Sequence, residues 1–167
     1  MAKFKLIKKG WTLVELIIVV LIISVISLGI PQLISQIYRF YRINTLNMEL
    51  QQEARIIMEL ISKDLRHARS STITIDSLSG QPYYSRISFV TIKGSSVTYY
   101  QEGRNLIRIS GIHRKTLSKN LYYLAFAFPQ SYDLSIVSVS FTLEKYLYQL
   151  QYKALHMASE KIRVMNE

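Results

Sequence analysis

The feature that most constrains this chain is an apolar stretch close to its N-terminus. No residue from Leu16 through Tyr38 is charged, and residues 16–34 are almost wholly Leu, Ile and Val. A helix of about 19 residues, rising about 1.5 Å per residue, spans roughly 28 Å, which is the thickness of the hydrocarbon core of a bilayer. The sequence therefore predicts a membrane-spanning helix.

Basic residues ahead of this stretch predict its orientation. Lys3, Lys5, Lys8 and Lys9 precede it without any acidic residue. Such residues stay on the cytoplasmic side, so we expect a cytoplasmic N-terminus and a translocated C-terminal part. A secretory signal peptide has the same layout, but its cleavage site needs small residues after the apolar stretch. Residues 35–40 read SQIYRF, so we do not expect cleavage there.

Glu15 places a carboxylate at the mouth of the apolar stretch. At the centre of a bilayer an acid costs roughly 2.5 to 3.5 kcal/mol, and it costs less near the edge. One interpretation is structural, because an anion at a helix N-terminus is favoured by about 0.3 to 1 kcal/mol. A functional interpretation stays equally open on this residue alone.

The residues around Glu15 form a longer pattern that continues directly into the apolar stretch. They are Lys8, Lys9, Gly10, Trp11, Thr12, Leu13, Val14 and Glu15. This segment resembles the class III signal of type IV prepilins and pseudopilins. The resemblance implies that residues 1–10 are a leader, that a prepilin peptidase cleaves between Gly10 and Trp11, and that the new amino group of Trp11 is methylated. Trp11 departs from the Phe or Met usual at this first mature position.

The resemblance also implies a role for Glu15 in assembly. After cleavage Glu15 is the fifth residue of the mature chain, where the family keeps its glutamate. Its carboxylate then pairs with the α-ammonium of Trp11 on a neighbouring subunit. In a low dielectric such pairing offsets the cost of burying both charges and selects one register.

The helical pattern continues beyond the bilayer with one apolar stripe. The stripe comprises Leu46, Leu50, Ala54, Ile57, Ile61, Leu65 and Ala68. Its steps of three and four residues predict an amphipathic helix. On the charged side, Glu59 and Lys63 have the spacing of an ion pair. Coiled-coil pairing is a competing use of the stripe.

We therefore expect one long helix over residues 11–69. Its part over 11–38 is the transmembrane and assembly half, and its part over 39–69 is the amphipathic half. Gly29 and Pro31 interrupt the helix near its outer end and predict a hinge.

After Ser70 the period changes to about two, and Ser, Thr, Tyr and β-branched residues dominate. We expect residues 70–167 to form a β-rich globular head. The predicted strands are 72–78, 86–93, 96–101, 105–110, 121–128, 136–144 and 147–158. The fold class is therefore α+β, a long N-terminal helix packed on an antiparallel sheet, as in the pilin fold.

A second resemblance covers most of the chain. Its residues are Glu53, Ala54, Arg55, Met58, residues 61–66, Ala68, residues 97–100 and residues 105–108. They are similar to the J-type pseudopilins and W-type minor pilins. This resemblance implies a minor subunit near the filament tip that helps to start assembly.

The composition argues against several other kinds of protein. The chain has no cysteine, which excludes disulfides and thiol chemistry. Its three histidines have no metal-ligand spacing, its acids form no calcium loop, and no catalytic fingerprint is present, so we expect no metal, no cofactor and no enzyme.

The net charge of +10 raises the question of nucleic-acid binding. Without the four leader lysines the balance falls to +6, from 17 Lys and Arg against 11 Asp and Glu. The densest basic group is His113, Arg114, Lys115 and Lys119, which we interpret as a solvated loop. Three Tyr-Tyr pairs, at 83–84, 99–100 and 122–123, are expected to place one ring in the core and one outside.

The expected function is that of a non-catalytic minor pilin or pseudopilin of a type IV pilus or a type II secretion or competence pseudopilus. Its expected partners are other pilins or pseudopilins, prepilin peptidase and the inner-membrane assembly platform. Its expected location is the cytoplasmic (inner) membrane, and then the extracytoplasmic filament. Two alternatives remain open: a competence or adhesive tip subunit whose head binds DNA or a surface ligand, and an ordinary single-span anchored domain.

Overall fold

The computed structural model describes residues 12–130, 132–147 and 152–166. Lys8, Lys9, Gly10 and Trp11 therefore lie outside the described residues. The chain divides into a first unit that ends at Arg42 and a second unit that begins at Ile43. The eight strands and the C-terminal part of the long helix all belong to the second unit.

Helix α1 spans Leu13–Arg66 and contains 54 residues. Its buried positions in the second unit follow the predicted stripe, which confirms the amphipathic assignment. The helix ends three residues earlier than expected, because the amides of His67 and Ala68 bond to carbonyls three residues back. Ala68 is still fully buried, but it lies in a β-bridge with Thr91. A 3₁₀ turn over Ser70–Thr72 follows.

The first sheet has five antiparallel strands in sequence order. They are β1 (Thr74–Asp76), β2 (Arg86–Val90), β3 (Ser96–Glu102), β4 (Asn105–Ser110) and β5 (His113–Ser118). Three of its hairpin turns contain a glycine with positive φ, at Gly94, Gly103 and Gly111, a conformation that other residues rarely adopt.

The second sheet has three antiparallel strands. They are β6 (Leu121–Ala127), β7 (Ile136–Leu147) and β8 (Tyr152–Arg163), in the order β6-β7-β8. β7 and β8 pair over twelve residues from Ile136↔Arg163 to Leu147↔Tyr152. The last predicted strand, 147–158, is thus displaced toward the C-terminus, because β7 extends to Leu147 and β8 begins at Tyr152.

One hydrophobic core joins the helix stripe to both sheets. The largest side chains in it are fully buried: Phe89 and Tyr99 from the first sheet, and Phe126 and Phe141 from the second. Burial of each such ring contributes about 1.5 to 3 kcal/mol. The α+β fold, a long helix packed on an antiparallel β head, is as expected.

Three expectations about the second unit were wrong. The basic residues from His113 to Lys115 lie on strand β5 and not in a loop. Glu59 and Lys63 form no ion pair in the described structure. The Tyr-Tyr pairs do not split between core and solvent: the pairs at 83–84 and 122–123 are exposed, and the pair at 99–100 is buried. The first pair lies outside any strand and the third lies at a β-bulge, so simple alternation does not apply to either.

Candidate functional site

The candidate site is the start of helix α1, where the sequence places Glu15. The described chain begins at Thr12, and the helix begins at Leu13. Thr12 is therefore the N-cap residue, and Glu15 is the third residue of the first turn.

Thr12 and Glu15 bond to each other reciprocally. The Thr12 backbone N–H donates to Glu15 Oε2 at 2.9 Å, and the Thr12 hydroxyl donates to the same oxygen at 3.0 Å. The Glu15 backbone N–H lies 3.3 Å from Thr12 Oγ1, which accepts from it. This arrangement is a capping box, and it satisfies amides that the first turn leaves without partners.

The capping box fixes the Glu15 carboxylate at the first turn but occupies only one of its oxygens. Oε1 makes no hydrogen bond within the described residues, so it can accept from a cation outside the helix. Our sequence interpretation missed Thr12, although the spacing T-x-x-E before an apolar stretch is the signal of a capping box.

The surface that follows Glu15 is apolar on every side. Residues 12–42 are all exposed, and none of residues 16–38 is charged. The hydroxyls of Ser24 and Ser35 donate within the helix, to Val20 O at 2.7 Å and Gln32 O at 2.8 Å. Helix α1 is thus long and apolar enough to cross a membrane, with these hydroxyls satisfied internally.

Gly29 and Pro31 lie within the helix, which continues past both residues. Pro31 has no N–H, so it cannot donate to the carbonyl of Ser27. Apart from its chain neighbours and the adjoining helix backbone, no described atom lies within 4 Å of a Cβ placed on Gly29. The hinge stays a prediction.

A partly buried polar cluster ties the helix to the first sheet in the second unit. The Tyr99 hydroxyl donates to Asp64 Oδ2 at 2.6 Å, and Arg108 Nε donates to the same oxygen at 2.8 Å. Burial, followed by the hydrogen bond to Asp64, raises the pKa of Tyr99 well above its usual value. The cluster keeps Tyr99 neutral and fixes the helix on β3 and β4.

A second polar contact joins the two sheets. Arg104, in the turn between β3 and β4, donates to the backbone oxygen of Glu144 at 2.7 Å and to its Oε1 at 3.4 Å. The Glu144 side chain is only 2% exposed.

Glu53 and Glu49 of the helix also bond to the head, through Asn120 and Lys145. These two contacts hold the amphipathic half of α1 against the loop before β6 and against β7.

The remaining candidate residues are basic. His113, Arg114 and Lys115 are exposed on β5, and Arg114 pairs with Glu102. Within the described residues no group of three His, Asp or Glu side chains is placed to hold a metal ion. Comparison with known proteins adds no assignment: no family model, no curated protein and no solved structure matches the chain.

Proposed function

We propose that this chain is a minor pilin or pseudopilin, a non-catalytic subunit of a type IV pilus or of a type II secretion or competence pseudopilus. The observation that carries the proposal is the position of Glu15. Thr12 holds this carboxylate at the first turn of a helix in which residues 16–38 are uncharged and exposed. Capping the helix uses one oxygen of this carboxylate, and pairing with a neighbouring subunit gives a use for the other.

The proposed mechanism starts with removal of residues 1–10 at Gly10. The new α-ammonium of Trp11 then pairs with Glu15 of a neighbouring subunit, through the carboxylate oxygen that the capping box leaves available. The subunit enters the cytoplasmic membrane with its N-terminus in the cytoplasm and its head outside. Prepilin peptidase and the assembly platform act on the subunit first. It then contacts other pilins near the filament tip.

Processing is tested by intact-mass and N-terminal peptide mass spectrometry of the full chain, expressed with and without a prepilin peptidase. The expected product begins at methylated Trp11 only when the peptidase is present. A Gly10→Leu variant is the control and keeps the leader under both conditions. A wild-type chain that retains residues 1–10 beside the peptidase, or is cut beyond Ile34, contradicts the proposal.

Assembly is tested separately with two variants at the capping box. Glu15→Ala removes the carboxylate and is expected to be processed but missing from sheared filaments. Thr12→Ala removes the cap side chain and keeps the carboxylate, so it is expected to assemble. If both variants fail equally, the role of Glu15 is helix capping; if Glu15→Ala assembles normally, inter-subunit pairing is wrong.

The exposed cations of β5 favour one alternative, a tip subunit whose head binds DNA. Phosphate binding of this kind weakens steeply with salt. The test is DNA binding by the detergent-solubilised chain. The alternative is favoured if the binding weakens as salt rises and if Lys115→Ala reduces it but Lys93→Ala does not.

A further inference from the structure

The edges of the two sheets differ sharply in how they are protected. β1 has only three residues, and β5 carries exposed charged side chains. The edge of β6 is covered, because the amides of Leu121 and Phe126 donate to Arg104 O at 2.9 Å and to Tyr84 O at 2.8 Å. Short strands, charges and covering loops are the ways in which proteins protect sheet edges from pairing with other chains.

The fourth edge, strand β8, is less protected in the described structure, because its charged side chains lie only near its two ends and no described loop bonds to its outward backbone groups. It is twelve residues long, contains no proline and pairs with β7 without a register shift. Its length is therefore about 40 Å.

Two hydrogen bonds show which backbone groups of β8 point outward. The Glu144 N–H donates to Asn120 O, on the β6 side of β7, and Glu144 lies opposite Leu155. This pair is therefore not hydrogen-bonded across β7 and β8, and the N–H and C=O of Leu155 point away from β7. The Val164 N–H donates to Ser135 O, on the β7 side, which gives the same alternation.

Every second residue of β8 thus presents an N–H and a C=O at the edge. These residues are Lys153, Leu155, Met157, Ser159, Lys161 and Arg163. No backbone partner for them occurs among the described residues. Leu155 and Met157, the two apolar residues of this row, are also exposed on the outer face, at 47% and 72%.

Beside this edge, on the core-facing side, lies a groove of about 830 Å³ between β8 and helix α1. His156, Ala158 and Glu160 line it from β8. A fourth strand added next to β8 places its alternate side chains over the same helix face. The groove is therefore the space that the side chains of an added strand would fill.

The charges of the groove are mostly positive. Arg55, Lys63 and Arg66 line it from the helix, and none of them forms an ion pair with a described residue. The acidic residues in the groove are Glu59 and Glu160, and Glu160 accepts a hydrogen bond from Ser62 at 3.2 Å. His67 also lies there, with Nδ1 2.7 Å from the Lys63 carbonyl oxygen. An occupant with acidic side chains fits this surface.

We propose that β8 binds an extended segment of a different protein as a fourth strand of the second sheet. The segment carries acidic side chains toward the groove and apolar side chains toward Leu155 and Met157. A second copy of this chain fits poorly, because antiparallel pairing of two β8 edges about Met157 or Ala158 places Lys153 opposite Lys161 or Arg163. The inference does not depend on the proposed pilin function.

The test uses the full chain in detergent micelles and a fluorescein-labelled peptide of about ten residues with alternating Glu and Val, the length of a long strand. The matched peptide has Lys in place of Glu. Fluorescence anisotropy is expected to show binding of the Glu peptide. By charge complementarity, the Lys peptide should bind about tenfold more weakly, or more weakly still. Hydrogen exchange is expected to slow at the amides of Leu155, Met157 and Ser159, but not at Ala158, which already bonds to β7.

Met157→Pro removes one outward N–H and leaves the pairing with β7 intact, so the fold is expected to persist. It should weaken binding of the Glu peptide about tenfold or more, whereas Met157→Ala keeps most of it. Lys63→Gln should also weaken binding, and Lys115→Gln, on the exposed strand β5 of the other sheet and outside the groove lining, should not. The melting temperature of each variant checks its fold.

Several outcomes overturn the proposal. Equal binding of the Glu and Lys peptides refutes an acidic partner, and unchanged binding by folded Met157→Pro refutes strand addition. Self-association of the wild-type chain that Met157→Pro abolishes identifies a second copy as the occupant instead. Absence of both peptide binding and self-association refutes β8 as a docking edge.

Discussion

Tyr99→Phe tests the buried cluster that ties the helix to the first sheet. Tyr99 is fully buried and stacks on Phe89 with ring centroids 6.4 Å apart. Phenylalanine keeps this packing and removes only the hydroxyl, which bonds to Asp64 at 2.6 Å and accepts from Arg108 at 3.1 Å. A hydrogen bond to a charged group contributes about 1.5 to 3 kcal/mol, and Asp64 keeps its bond to Arg108. We therefore expect a loss of about 2 kcal/mol.

This loss should lower the melting temperature of the full chain by about 4 to 8 °C. The melting temperature is measured by circular dichroism in detergent micelles. Tyr132→Phe is the control, because Tyr132 is 85% exposed and its change should stay within about 0.5 kcal/mol of wild type. If Tyr99→Phe melts at the wild-type temperature, the cluster does not stabilise the helix on the sheet.

The pH dependence gives a second measurement on the same variant. Burial and the bond to Asp64 raise the pKa of folded Tyr99 above the unfolded value of about 10. Its contribution is therefore fully present below about pH 10. Above that pH the unfolded tyrosine ionises while the folded one stays neutral, so stability falls by about 1.4 kcal/mol per pH unit.

Denaturant unfolding between about pH 9 and pH 11 should show this decrease in the free energy of unfolding of the wild-type chain. The decrease should be smaller in Tyr99→Phe, and the difference between the two proteins is the contribution of Tyr99. The other tyrosines contribute to both proteins and cancel in the difference. Parallel pH profiles of the two proteins would mean that Tyr99 ionises as easily in the folded state as in the unfolded state.

Two further predictions concern the head. Arg104→Ala leaves the buried Glu144 carboxylate without its cation and should cost about 2 to 3 kcal/mol in denaturant unfolding, whereas Lys145→Ala, at an exposed pair with Glu49, should cost about 0.5 kcal/mol or less. Equal effects would contradict the inter-sheet contact. Phe141→Ala, at a fully buried position of β7, should cost about 3 to 5 kcal/mol by the same measurement, and a loss below about 1 kcal/mol would mean that the second sheet does not share the core.

Much of the fold could be predicted because its patterns are local. The spacing from Leu50 to Leu65 predicted the buried face of the helix, and the strand at 105–110 has the predicted bounds. The alternation that begins at Val137 predicted strand β7, although the strand extends to Leu147. In each case the period of the apolar residues matches the geometry of the element.

Other features could not be predicted because they depend on neighbours in space. β5 carries no apolar alternation, and its strand conformation comes from pairing with β4, for instance between Arg114 and Ile109. The expected pair of Glu59 and Lys63 is absent from the described structure, where both residues line the groove beside β8. Cleavage at Gly10 and methylation of Trp11 stay predictions.

The sequence alone determined the apolar helix, the acid at its start and the change of period near Ser70, because these depend on residue type and spacing along the chain. Only the tertiary structure decided the division of the strands into two sheets, the burial of Tyr99 with Asp64 and Arg108, and the open edge of β8. Each of these depends on which residues meet across the fold, and contacts between residues far apart in sequence leave no periodic signal in one sequence.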